Sequence, residues 1–113
     1  MTFKRIGILL AAVLTARMGT INYIDHCETW YDLPMKRVVE RADQHYGIQG
    51  VFAIREDGVK TYNGFVILAT DWGKYPYGST LETSLGTGVV LDAHTANNEN
   101  IVDVATAWKG GKK

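Results

Sequence analysis

From residue 51 to residue 108 the chain is a succession of short blocks rich in β-branched and aromatic residues, VFAI, VKTY, GFVILAT, STLET, GVVLD and IVDVATAW, most of them separated by glycine-containing breaks. Blocks of that length and composition, bounded by turn residues, read as strands and leave no room for a helix of ordinary length. Glu56-Asp57-Gly58 between VFAI and VKTY is a hairpin signal, because Asp-Gly accepts the positive backbone angles of a tight turn. Gly64, Gly73, Gly78, Gly86 and Gly88 mark the later turns. Upstream, CETWY at 27–31 is a further short strand, followed by one helix. Asp32 is placed to cap it, Pro34 is tolerated in its first turn, and Gly47 supplies the stop. Met35, Val38, Val39, Ala42 and Tyr46 recur at helical spacing and predict a core face, while Lys36, Arg37, Glu40, Arg41 and Asp43 predict a solvated one. Six or so strands with one inserted helix predict a mainly β fold, a small closed or nearly closed barrel.

A chain of 113 residues supports one core, not two. Twelve Lys and Arg balance twelve Asp and Glu, so no overall field draws the protein to nucleic acid or acidic lipid, and an uncharged partner is the natural expectation. The single cysteine, Cys27, excludes an internal disulfide and reads as a packed residue. His26, His45 and His94 lack metal-ligand spacing, and no phosphate-binding glycine loop, nucleophile elbow or zinc motif is present, so neither metal nor cofactor is expected. Lys4 and Arg5 before the apolar run 6–16, with Arg17, Gly19 and Thr20 after it, have the layout of a secretory signal peptide. The run is too short to span a bilayer as a helix, so no stable membrane insertion is expected. A first core strand at 6–13, or an extension ahead of a start at Met18, are the alternatives. The chain thus divides into a leader or extension at 1–17, a barrel domain at 18–108 and a short basic tail at 109–113.

Asp71, Asp92 and Asp103 each sit at a strand end, in segments punctuated by glycine and proline. Two carboxylates brought together in a cleft can hold protons with different affinity, one serving as acid while the other stays ionised, which suits cleavage of a glycosidic bond. Such residues also accept hydrogen bonds from turn amides and do nothing else, and that reading stands beside the first. Trp72, Tyr75 and Tyr77 fall in the turn after Asp71 and offer flat faces for a sugar ring, and His94 follows Asp92 closely enough to share its surroundings.

The order and spacing of these residues carry a resemblance. Asp71 ends VILAT, Pro76, Gly78 and Ser79 follow in a turn, Gly86 and Gly88 form a hairpin, Asp92 follows GVVL, and Asp103 lies eleven residues further on in NIVDVAT. This third of the chain resembles the three-aspartate (3D) domain family, a six-stranded double-psi β-barrel related to membrane-bound lytic transglycosylase A. The upstream block ETWYDLPM and the helix after it are similar to small three-aspartate proteins of bacteria and their phages. The sequence departs from the family after Asp92, where Ala93, His94 and Thr95 stand in place of Thr-Gly-Gly.

The resemblance implies a lytic transglycosylase acting on peptidoglycan glycan strands, in cell-wall remodelling or phage-related lysis. One aspartate first protonates the glycosidic oxygen and then takes the proton of a sugar hydroxyl that closes to an anhydro sugar. Asp103 matches the catalytic position, Asp92 is the second carboxylate, and Asp71 is the third, orienting the turn or accepting hydrogen bonds from substrate. Trp72, Tyr75, Tyr77 and His94 complete the expected substrate-binding set. The location implied is secreted or cell-wall associated, or the virion if phage-encoded. A non-catalytic glycan-binding or virion structural module on the same barrel is the alternative, and an inverting glucan hydrolase a third.

Overall fold

The computed structural model describes residues 21–23 and 25–109, so the segment 1–17 and the last residues of the basic tail lie outside the described residues. Eight strands and one helix appear among the described residues: β1 (Ile21–Tyr23), β2 (His26–Tyr31), α1 (Lys36–Tyr46), β3 (Phe52–Ile54), β4 (Lys60–Tyr62), β5 (Phe65–Thr70), β6 (Thr80–Thr83), β7 (Gly86–Ala93) and β8 (Ile101–Ala105). The fold is mainly β with one inserted helix, as the glycine-punctuated blocks predict, and the sheet curls into a half-barrel. No described helix is long and apolar enough to cross a membrane.

The sheet is organised around β5. One of its edges is shared by two strands: Phe65 and Val66 pair with β4, whereas Leu68 and Ala69 pair with β8. The other edge is taken by β7, running parallel. A strand paired on both edges is central to the sheet, and the FVILAT run matches that position, since Val66 through Thr70 are all buried. A parallel pair requires a crossover in place of a hairpin. The β5 to β7 crossover is the turn at 71–79 plus β6, and the parallel partner of β8 is β2, far upstream.

Alternation along these strands fills both faces. Val66, Leu68, Val90, Val102 and Val104 face one way and meet Trp30 and Trp108, whose rings are 5.2 Å apart edge to face. Ile67, Ala69, Leu91 and Ala105 face the other way, under Met35, Val38 and Ala42 of the helix. Burying side chains such as Leu68 and Ile67 stabilises the fold by about 1.5–3 kcal/mol each. Gly88 permits the close approach of β7 to β5: a methyl group there would lie 2.6 Å from Leu68 Cδ1 and 3.0 Å from the Val66 carbonyl oxygen. The predicted Asp-Gly turn closes the β3–β4 hairpin, with Gly58 at φ +90° beneath the Trp108 ring and the Trp108 indole N–H donating to the Asp57 carbonyl at 2.7 Å.

Two local expectations are corrected. Met35, not Asp32, is the N-cap of α1, and no side chain caps the helix. Asp32 instead accepts a hydrogen bond from Lys60 Nζ at 2.9 Å, so a long-range ion pair has taken the carboxylate. Asp43 is not part of a solvated face: its Oδ1 accepts from the Tyr62 hydroxyl at 2.7 Å and the Gly50 N–H at 2.9 Å, tying the helix to β4. Gly47 stops the helix as expected, at φ 66°, with its N–H donating to the Asp43 carbonyl. On β2, the buried Glu28 binds His26 Nε2 at 2.8 Å and accepts from the Ser84 hydroxyl at 2.5 Å, which fastens β2 to the β6–β7 hairpin.

Candidate functional site

The two aspartates meet through register. Ala69 on β5 is paired with Asp92 on one side and with Asp103 on the other, and Asp103 is paired in turn with Thr29 on β2. Asp92, Ala69, Asp103 and Thr29 therefore form one row across four strands, their side chains on the face shared with α1. Two strand spacings separate the aspartate Cα atoms, about 10 Å, with Ala69 as the strand position between them. A one-residue bulge makes this possible. Leu68 faces Val90 but Ala69 faces Asp92, so Leu91 is the extra residue on β7. Without it Ala69 would pair with Leu91 and Asp92 would turn to the opposite face.

Strand β2 supplies hydroxyl donors to both carboxylates. Thr29 Oγ1 donates to Asp103 Oδ1 at 2.7 Å, and the Tyr31 hydroxyl, two residues on and therefore on the same face, donates to Asp92 Oδ2 at 2.9 Å. Asp92 Oδ1 also accepts the N–H of Ala93 at 2.9 Å. Burial, then the charge of Asp92 and the bond to it, then the charge of Asp103, hold the Tyr31 phenol far above its ordinary proton affinity, so it remains a donor throughout the physiological range. Asp103 is 4% exposed, and Asp92 is half-buried.

The residues proposed around the pair divide. Asp71 lies outside the row: its Oδ1 accepts the Gly73 N–H at 2.8 Å and its carbonyl accepts the N–H groups of Lys74 and Tyr75, so it organises the turn. Trp72 comes to the site, its indole N–H donating to the main-chain oxygen of Asp92 at 2.9 Å, and Tyr77 packs edge-on against it at 5.4 Å. Tyr75 does not: its ring is buried in the core with Trp30 and Leu85. His94 is committed elsewhere: Nε2 donates to the Ile101 carbonyl at 2.8 Å and Nδ1 accepts from the Ala96 N–H at 3.2 Å, which clamps the loop between β7 and β8.

Trp72 and Tyr77 begin a series of ring contacts. Tyr77 meets His45 at 4.9 Å, His45 meets Tyr46 at 4.7 Å, and Tyr46 stacks on Tyr62 at 6.4 Å. The series runs from Trp72, bonded to Asp92, to a groove of about 400 Å³ lined by Tyr46, Ile48, Tyr62, Phe65 and Val89. This groove sits near the start of β5 and β7, whereas the aspartates sit near their ends. The Tyr77 hydroxyl is buried without a hydrogen-bond partner, and burial raises its proton affinity.

Thr29, Tyr31, His45 and Tyr46 were not legible as site residues. Thr29 and Tyr31 flank Trp30 in a strand that reads as scaffold, and the only local signal is that two hydroxyl residues alternate with a buried indole. Among the described residues, no three His, Cys, Asp or Glu side chains gather as metal ligands. Comparisons with protein-family models, with curated proteins and with solved structures found no match to this chain.

Proposed function

We propose that this chain cleaves the glycan strand of peptidoglycan as a lytic transglycosylase of the three-aspartate barrel type. The observation that carries the reading is the row Asp92, Ala69, Asp103: two carboxylates on one face, with Ala69 as the strand position between them. Asp103 gives its proton to the glycosidic oxygen as the bond to the anomeric carbon breaks. Asp92 faces the positive charge that develops on the sugar ring. The Asp103 carboxylate then takes the proton of a hydroxyl on the same sugar, whose oxygen bonds to the anomeric carbon and closes the anhydro ring. No water is consumed, and Asp103 ends protonated as it began. Thr29 and Tyr31 fix the two carboxyl groups, and the faces of Trp72 and Tyr77 support the neighbouring sugar.

A second reading, a glycan-binding module without catalysis, is favoured by one observation: Asp103 is 4% exposed and engaged by Thr29, while the ring series beside it is accessible at Trp72 and Tyr46. Incubation with purified peptidoglycan and mass analysis of the soluble products separates the two. Anhydromuropeptides from the wild type, reduced by about 10²-fold or more in Asp103→Asn, are expected. Binding to the cell wall with no released fragment supports the module instead, hydrolytic products without an anhydro ring point to a glucan hydrolase, and unchanged cleavage by Asp103→Asn removes that residue from the mechanism.

A further inference from the structure

Strand β3 ends the sheet, and among the described residues nothing pairs with its outer edge. Its backbone orientation follows from its bonds to β4. The Val51 carbonyl accepts the Asn63 N–H and the Arg55 N–H donates to the Val59 carbonyl, each at 2.8 Å. Because antiparallel ladders alternate, the N–H and C=O groups of Phe52 and Ile54 point away from β4, toward the open edge. Exposed edges in soluble proteins are normally blunted by charge, proline or a bulge. This one is not: residues 48–54, IQGVFAI, contain neither a charge nor a proline. Val51, Phe52 and Ile54 are 66%, 39% and 52% exposed.

We propose that β3 pairs with β3 of a second copy of this chain, antiparallel about a two-fold axis at Ala53, so that two half-barrels share one continuous sheet. The edge is self-complementary in that register. Phe52 of each copy lies opposite Ile54 of the other as a hydrogen-bonded pair, an aromatic and β-branched combination that stabilises sheets. Ala53 meets its own copy at the axis, where a small side chain suits the closer non-hydrogen-bonded spacing. The charges beside the strand agree. Phe52 packs next to a groove whose helical rim carries Lys36 and Glu40. A two-fold axis normal to the sheet puts both α1 helices on the same face and runs them antiparallel, so each copy presents a rim of mixed sign, Lys36 with Glu40, with no net like charge.

The test is sedimentation of the full chain from about 1 to 100 µM, the range in which a small interface dimerises. A concentration-dependent dimer is expected, weakened about tenfold or more in Ile54→Lys, whose side chain remains in solvent in the monomer and whose circular dichroism should match the wild type. In a Cys27→Ser background, Ala53→Cys should form a covalent dimer on mild oxidation, because the paired Cα atoms lie within disulfide range, and Glu56→Cys should not. A wild type that is monomeric throughout overturns the proposal and leaves the edge to a foreign strand. A dimer that Ile54→Lys leaves intact, or equal cross-linking at positions 53 and 56, overturns it as well.

Discussion

The bond between Tyr31 and Asp92 should reveal itself as an asymmetry in stability. Tyr31 is 3% exposed, whereas Asp92 is half-buried and has a second donor in the Ala93 N–H. Tyr31→Phe therefore removes one donor from a carboxylate that water can still reach, at a cost of about 0.5–1.5 kcal/mol. Asp92→Ala strands a buried hydroxyl, with a penalty of about 1–3 kcal/mol, and also loses the Ala93 bond. In the double variant no hydroxyl is left to strand, and the Ala93 bond is absent from both arms that carry Asp92→Ala, so it cancels from the cycle. The coupling between the two positions should be about 1 kcal/mol. For a domain of this size that amounts to about 0.3–1 M urea in the transition midpoint, or about 4–8 °C in Tm. Urea unfolding of the four proteins, followed by tryptophan fluorescence, measures it. If Asp92→Ala costs no more than Tyr31→Phe, or if the double variant equals the sum of the singles, the two groups are not coupled in the fold and the site loses its second donor.

Gly88→Ala should destabilise by about 1–3 kcal/mol, because the added methyl group meets Leu68 and the Val66 carbonyl where β7 and β5 are closest; thermal unfolding unchanged from the wild type would refute that close approach. Alkaline pH should unfold the protein through its buried phenols. Burial and then the hydrogen bond to Asp43 push Tyr62 from 10.0 up to about 12, and Tyr31 is raised in the same sense. A raised folded value means that the native state keeps protons the unfolded chain releases, so this stability is complete below pH 10.0 and is lost as pH rises from there through about 12. Tm should fall over that interval with tyrosinate absorbance appearing together with unfolding, and early ionisation in a protein that stays folded would contradict it.

What could be read from the sequence was whatever a residue settles with its own neighbours. The strand blocks, the Asp-Gly hairpin and the Gly47 stop depend on a few adjacent dihedrals, and each appears where the local pattern puts it. Asp71 belongs to this group, since an aspartate two residues before a turn glycine can satisfy its carboxylate within the turn. Asp32 shows how the local rule fails: it had the position and chemistry of a helix cap, but an ammonium arriving from β4 bound it instead. The site is built almost wholly from encounters of the second kind. Thr29 reaches Asp103 across 74 residues of sequence and Tyr31 reaches Asp92 across 61. Neither hydroxyl announces itself in HCETWY, because a parallel pairing with a distant strand leaves no mark on the strand alone. The aspartates were visible as residue types, but their common face was not, since it depends on β5 holding β7 and β8 on opposite edges and on one surplus residue at Leu91. Strict alternation from the Leu68 and Val90 pair would assign Asp92 to the wrong side of the sheet. The bulge that reverses that assignment is thus the smallest structural feature on which the proposed chemistry depends.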